Sequence, residues 1–277
     1  MSKALDVVAI KKDFPIFERT IRDGQRLVYL DSGATAQKPN SVIDAELNFY
    51  RTSNAAVHRG AHQLAEEATE GFENARSIVA EFIGASSDQI VFTKSATESI
   101  NLVAYALTEK VKPGDRIVVS EMEHHANLIP WQQLAKRTGA ELAWFEVTPE
   151  GRLDLSNIDS VITSNTALVA ITHQSNVLGT INPIEPIFKR AQAVGAEVLI
   201  DACQSVPHMA VDVQKLGVDY LAFSGHKALG PTGVGVLWGR NLEALPPFLF
   251  GGSMIENVTM TDATWAPAPK KFEAGVP

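Results

Sequence analysis

The chain carries one cysteine, Cys203, in 277 residues. That excludes an internal disulfide framework and fits a reducing compartment. No apolar run comes near the ~20 residues needed to cross a bilayer. The opening stretch, MSKALDVVAIKKDF, has no apolar core of signal-peptide length, so a cytoplasmic protein is expected. Positive charge is scarce: 24 Lys and Arg stand against 32 Asp and Glu, for a formal net charge of −8. This balance argues against nucleic acid or an anionic membrane as the main partner. The sequence has neither internal repeats nor low-complexity segments.

What is present is the composition of an ordinary globular protein, 45% hydrophobic and 20% charged. The length allows one large α/β domain or two smaller ones. Residues 1–26 read as a short helix and connecting arm, with Phe14-Pro15 ending the helix. Leu27–Leu30 is a short strand candidate that stops at Asp31. Ser41–Arg51 and His62–Ile83 read as helices. In the second, Leu64, Ala68, Phe72, Ala75, Val79 and Phe82 recur at helical spacing. From Gln89 onward seven apolar bursts read as strands: Ile90–Thr93, Ile117–Ser120, Leu142–Val147, Ala167–Thr172, Val198–Ile200, Tyr220–Phe223 and Val234–Trp238. Helical patterns separate most of them, as in Asn101–Leu107, Leu128–Arg137 and Pro186–Val194, and Gly139 and Gly195 sit where helices would stop. Such alternation predicts an α/β fold, a mainly parallel seven-stranded sheet with helices on both faces. The last two bursts have no helix between them, so one of them is open to running antiparallel.

In an open α/β sheet, ligands bind outside the carboxyl ends of the strands. Val198–Ile200 stops at Asp201, and the burst ending at Phe223 stops at Ser224-Gly225-His226-Lys227. A carboxylate and an amine on one such rim match the needs of pyridoxal 5'-phosphate. The lysine forms the Schiff base, and the carboxylate keeps the pyridine nitrogen protonated. A helix-capping Asp and a solvated surface Lys are the alternatives.

The other strand tips add candidates. Lys94-Ser95-Ala96-Thr97-Glu98 runs from strand into helix, with Ser95 and Glu98 at capping-box spacing. Such a helix start offers free N–H groups to a phosphate. Glu121-Met122-Glu123-His124-His125 raises a metal, but neighbouring residues point apart and no second ligand pair is spaced for one centre. A ring stacked on a planar cofactor suits one of these two histidines better; a core or capping histidine is the alternative. Asn176 and Gln204 are neutral groups able to hydrogen-bond a phenolate oxygen or a substrate carboxylate, or simply nearby backbone. Gly230, Gly233 and Gly235 precede a strand and are no dinucleotide fingerprint; they shape the turn behind Lys227. Cys203 reads as a small buried residue rather than a nucleophile. Ala56-Val57-His58-Arg59-Gly60 is a basic loop suited to an anion, or merely an exposed one.

Together LDSGATAQKP, AAVHRGAHQLA, MEHHANLIPWQ, ITHQSNVLGT, DACQSVPH, FSGHKALGPTGVGVL and FEAGVP are far more specific than any one of them. On these motifs the chain resembles the group II cysteine desulfurases of iron–sulfur cluster assembly. That group lies within the class V aminotransferase branch of fold type I pyridoxal-phosphate enzymes. The resemblance implies Lys227 as the Schiff-base lysine, Asp201 as partner of the pyridine nitrogen and Gln204 at the ring oxygen. His124 would stack on the ring and help shuttle protons. Ala96 (through its backbone), Thr97, Ser224 and His226 would hold the phosphate, and Asn176 would lie near the ring oxygen and the substrate carboxylate. The implied reaction converts L-cysteine to L-alanine and an enzyme persulfide, which passes to an acceptor protein, in a homodimer. Residues 27–277 would form the cofactor-binding large domain, incomplete at its C-terminal end, after the arm at 1–26.

The sequence departs from the family at Ala96 and Val276, where threonines are usual. Family members also run well beyond this point, into a part that carries the nucleophilic cysteine and a substrate-binding arginine. The chain therefore resembles their N-terminal portion, without the small C-terminal domain, and is expected to be inactive alone. A selenocysteine lyase, an aminotransferase of the same branch, or a non-catalytic fragment keeping the fold are the competing readings.

Overall fold

The computed structural model describes residues 5–276. The first four residues of the expected arm, and Pro277 at the end of FEAGVP, lie outside the described residues. The helices in chain order are α1 (Val7–Lys12), α2 (Asn40–Thr52), α3 (Gln63–Phe82), α4 (Ala96–Ala106), α5 (Ile129–Thr138), α6 (Ile158–Val161), α7 (Ile184–Val194), α8 (Ser205–His208) and α9 (Val213–Leu216). The strands are β1 (Ile90–Thr93), β2 (Arg116–Ser120), β3 (Glu141–Phe145), β4 (Thr166–Thr172), β5 (Glu197–Asp201), β6 (Tyr220–Ser224), β7 (Gly235–Gly239), β8 (Ile255–Val258) and β9 (Ala263–Trp265).

The seven bursts all become strands, and they form one sheet in the order β1-β7-β6-β5-β4-β2-β3. Every pairing from β3 across to β6 is parallel. β7 is antiparallel to both β6 and β1, because residues 225–234 are too few for a crossover. β1 thus points the same way as β6, and its carboxyl end shares the rim with those of β2, β4, β5 and β6.

The inner strands read as continuous apolar runs because both faces are covered. Val169, Ile171, Val198 and Ile200 join a core with Ala80 of α3 and Ile187 and Ala191 of α7. Leu168, Ala170 and Leu199 point the other way, into a second core with Ile100 and Val103 of α4 and Trp131 and Leu134 of α5. Each such aliphatic side chain contributes about 1.5–3 kcal/mol when fully buried. Gly139 and Gly195 end α5 and α7 in the left-handed conformation, at φ 77° and 78°, as their positions implied.

Three expectations are corrected. Leu27–Leu30 is not a strand: Val28 is 71% and Leu30 92% exposed. Loop hydrogen bonds shape this stretch instead of a ladder, with the Tyr29 hydroxyl donating to the Thr35 carbonyl at 2.7 Å. In α3 the buried face is rotated from the predicted stripe. Ala68 is buried as expected, but Leu64 and Phe82 are exposed while Ala65, Arg76 and Ala80 are covered. The rotation has a polar cause that hydrophobic spacing cannot register. Arg76, 2% exposed, pairs with Glu73 (2.9 Å) and Glu273 (2.7 Å) and donates to the Ile90 carbonyl. Finally, the capping box at α4 is displaced by one residue. Ser95 accepts from the Glu98 N–H, but the Glu98 carboxylate accepts from Lys94 rather than Ser95.

Candidate active site

The parallel strands deliver their chemistry to one rim. Thr172 ends β4 and pairs in register with Asp201, which ends β5. β6 ends at Ser224, and the single turn Gly225–Lys227 that follows carries His226 and Lys227. β1 leads through Ser95 into α4, and β2 leads into the segment bearing His124. β7 comes close to the start of α4 because Gly235 lacks a side chain: a Cβ there would run into the Ser95 backbone.

All nine candidates, Ala96, Thr97, His124, Asn176, Asp201, Gln204, Ser224, His226 and Lys227, line a single cavity of about 380 Å³. That volume lies in the range of small-molecule sites. Ser95, Thr172, Gln174 and Cys203 line it too. At one end, the Ala96 N–H donates to Ser224 Oγ at 2.9 Å, so the serine hydroxyl keeps its own proton for another acceptor. The N-terminus of α4 points its free N–H groups at this spot, which favours an anion. Elsewhere on the wall, Asp201 is 5% exposed and accepts from the Cys203 N–H at 3.0 Å.

His124 caps the turn after it, with Nδ1 accepting from the Ala126 N–H at 3.0 Å. That arrangement leaves the ring proton on Nε2. Gln204 donates through Nε2 to the Gly33 carbonyl at 2.7 Å, so only its second N–H is left for a ring oxygen. Burial, then the charges of Lys227 and Lys38, push the His226 pKa down. Burial and the neighbouring Asp201 push the Cys203 thiol well up, away from the reactive thiolate.

Several residues of the site escaped sequence reasoning. The Thr35 hydroxyl lies 3.1 Å from His226 Nδ1, and the Lys38 amine donates to the His226 carbonyl at 2.7 Å and the Ala36 carbonyl at 2.6 Å. The segment LDSGATAQKP thus clasps the lysine-bearing turn from a distance no local pattern reports. Arg59 of the basic loop meets Ser253 at 2.7 Å, and His58 pairs with Glu73 at 2.9 Å, so neither lines this cavity. Val276, at the second departure, is exposed. Among the described residues no three His, Cys, Asp or Glu side chains are gathered for a metal ion.

The residues present fit pyridoxal phosphate. N–H and hydroxyl donors meet at a helix start, a buried carboxylate and a lysine share the same cavity, and an imidazole stands on its wall. The chain is similar to proteins named as cysteine desulfurases. A probable cysteine desulfurase of Streptomyces coelicolor is 59% identical over 281 residues, covering 99% of this chain and 67% of its own length. The apo cysteine desulfurase of Thermococcus onnurineus NA1 superposes with a TM-score of 0.92 at 43% identity, covering 100% of this chain and 68% of that one. The cysteine desulfurase CsdA (S-sulfonic acid) from Escherichia coli gives 0.88 at 39% identity, covering 99% and 68%. The chain thus spans about two thirds of the length of each. The aminotransferase class-V family model matches residues 28–277, and on that match the chain belongs to the aminotransferase class-V family.

Proposed function

We propose that the cavity holds pyridoxal 5'-phosphate and serves a cysteine desulfurase, which converts L-cysteine to L-alanine and an enzyme persulfide. The observation that carries this reading is the convergence of Asp201, Lys227 and the donor cluster at Ala96, Thr97, Ser224 and His226 on one cavity. When bound, the cofactor supplies an electron sink for the carbon bearing the substrate amine. Lys227 holds the cofactor covalently. Asp201, a buried carboxylate on the cavity wall, would keep a proton on the ring nitrogen. The α4 start and the Ser224 and His226 side chains bind the phosphate, while Thr35 and Lys38 hold the His226 turn in place. His124 would lie against the ring and offer its Nε2 proton, and Asn176 would orient the ring oxygen and the substrate carboxylate.

Cys203, this chain's only cysteine, is not the sulfur acceptor in this reading. Its thiol is held protonated, and the resemblance puts the nucleophile in the portion of the relatives that the match does not reach. We therefore expect the 277-residue chain to bind cofactor without forming a persulfide. In this reading the sulfur goes on to an acceptor protein for iron–sulfur cluster assembly, in the cytoplasm. A homodimer is supported by the exposed apolar residues Val8, Val28, Leu30 and Tyr50 of the N-terminal region and α2.

The test is absorbance. Adding pyridoxal phosphate to the chain is expected to give a band near the visible edge that Lys227→Ala loses. A band that survives this substitution overturns the lysine assignment.

A further inference from the structure

Glu123 is an ionisable residue of the MEHHAN segment that the cofactor reading does not use, and it is almost wholly buried, at 9% exposure. It follows the turn at the end of β2 and directly precedes His124. Its Oε1 accepts from the Ser120 hydroxyl at 2.6 Å and from the Thr172 N–H at 2.9 Å, and its Oε2 accepts from the Asn127 amide at 2.6 Å. Asn127 is fixed in that orientation because its Oδ1 accepts from Trp131 Nε1 at 3.0 Å. The carboxyl therefore bridges the last residue of β2, the last residue of β4 and the segment leading into α5. On its other side Thr172 pairs in register with Asp201, and the His173 N–H donates to the Asp201 carbonyl at 2.9 Å.

Resting on the cofactor reading above, we propose that Glu123 is a positioning residue. Its carboxyl ties the tip presenting His124 to the tip beside Asp201, and so sets two walls of the cofactor cavity at once. Two of its three partners, the Thr172 N–H and the Asn127 amide, only donate. A glutamine of the same shape would turn an N–H toward one of them, and neither has an acceptor to offer in reply. The charge counts as well as the shape. Burial, with the Asp201 carboxylate adding to it, pushes the Glu123 pKa up to about 8, so it exchanges a proton near the working pH. Asp201 is the charged group bearing on it from β5; β2, β4 and the turn before α5 present Ser120, Thr172 and Asn127, which carry no charge. An ionised Glu123 favours protons held on its neighbours, so removing it makes the cofactor-bearing site give up its proton at lower pH.

The experiment uses the 277-residue chain as wild type, Glu123→Gln and Asn127→Ala. Each is titrated with pyridoxal phosphate, the visible band is followed from pH 6 to 9.5, and the cofactor-free melting temperature is recorded. Above pH 8, where the carboxyl is ionised, Glu123→Gln is expected to bind the cofactor about tenfold more weakly, a loss on the scale of one charged hydrogen bond. Its band midpoint is expected to move to lower pH. Asn127→Ala leaves the carboxyl in place with one donor fewer, which favours its neutral form. It is expected to move the midpoint the same way by less, and it carries the test if Glu123→Gln does not fold. A residue supporting only the fold would lower the melting temperature and leave the midpoint where it was, and that result overturns the proposal. Wild-type binding and midpoint in Glu123→Gln overturn it equally. A wild-type chain that gives no band overturns the cofactor reading itself, and this inference with it.

Discussion

The Lys38 amine donates to the carbonyl of His226, a residue 188 positions away, at 2.7 Å. It also reaches the Ala36 carbonyl at 2.6 Å, and the Ala36 N–H bonds back to His226 at 3.0 Å. The turn that delivers Lys227 is therefore held from outside the sheet by the loop 31–38. Lys38→Met leaves the Ala36 N–H bond to His226 intact but removes the charged donor. It is expected to weaken pyridoxal phosphate binding about tenfold, the scale of one charged hydrogen bond, with little change in melting temperature. Equilibrium titration of the visible band measures it; unchanged affinity would mean the clasp does not shape the site.

Arg76 is the buried hub between α3, β1 and the segment 270–276. It pairs with Glu73 and Glu273 and lies 5.0 Å from the ring centres of both Phe72 and Phe92. Removing one partner of a buried pair strands the other. Arg76→Met is expected to lower unfolding stability by about 3–5 kcal/mol. Urea unfolding at pH 7 checks it, and a loss below ~1 kcal/mol, the scale of a surface pair, would show the network to be incidental.

Glu123 also makes a stability prediction. Its pKa rises from the ordinary 4.5 to about 8 on folding, so between those values the folded chain holds a proton that the unfolded chain has released. Its contribution is full below pH 4.5 and is lost as pH climbs to 8, at up to about 1.4 kcal/mol per pH unit. Melting temperatures from pH 5 to 8 are expected to fall more steeply in wild type than in Glu123→Gln. Parallel slopes would show that the carboxyl titrates as it does in water.

Cys203 is expected to be a slow thiol. Burial and the adjacent Asp201 hold it protonated, although it lies on the cavity wall. Iodoacetamide at pH 8 is expected to label the native chain at least ~10-fold more slowly than the urea-unfolded chain, since the thiolate is the reacting form. Equal rates would reopen Cys203 as a nucleophile.

The sheet was legible because a strand covered on both faces must be apolar throughout, and the bursts of the inner strands met that condition. The missing helix between the last two bursts left one of them open to running antiparallel, and it is β7 that does. Asp201 and Lys227 stood out because each ends such a burst. What stayed hidden depends on contacts distant in sequence. Nothing local marks Lys38 as a partner of His226, or Glu273 as the partner of Arg76, and an amphipathic count of α3 misses a buried guanidinium by construction. Leu27–Leu30 misled for the opposite reason: it is apolar and short like a strand, yet it pairs with no strand of the sheet and leaves Val28 and Leu30 exposed. Glu123 was visible only as a doubtful metal ligand, because its burial depends on where β4 ends.

The most direct test of the account is chemical trapping. The chain is loaded with pyridoxal phosphate, reduced with borohydride, digested and mapped by mass spectrometry. The pyridoxyl adduct is expected on the peptide containing Lys227 alone. An adduct spread over surface lysines, or centred on Lys38 with Lys227 unmodified, would contradict the central claim that Asp201 and Lys227 frame a single cofactor site.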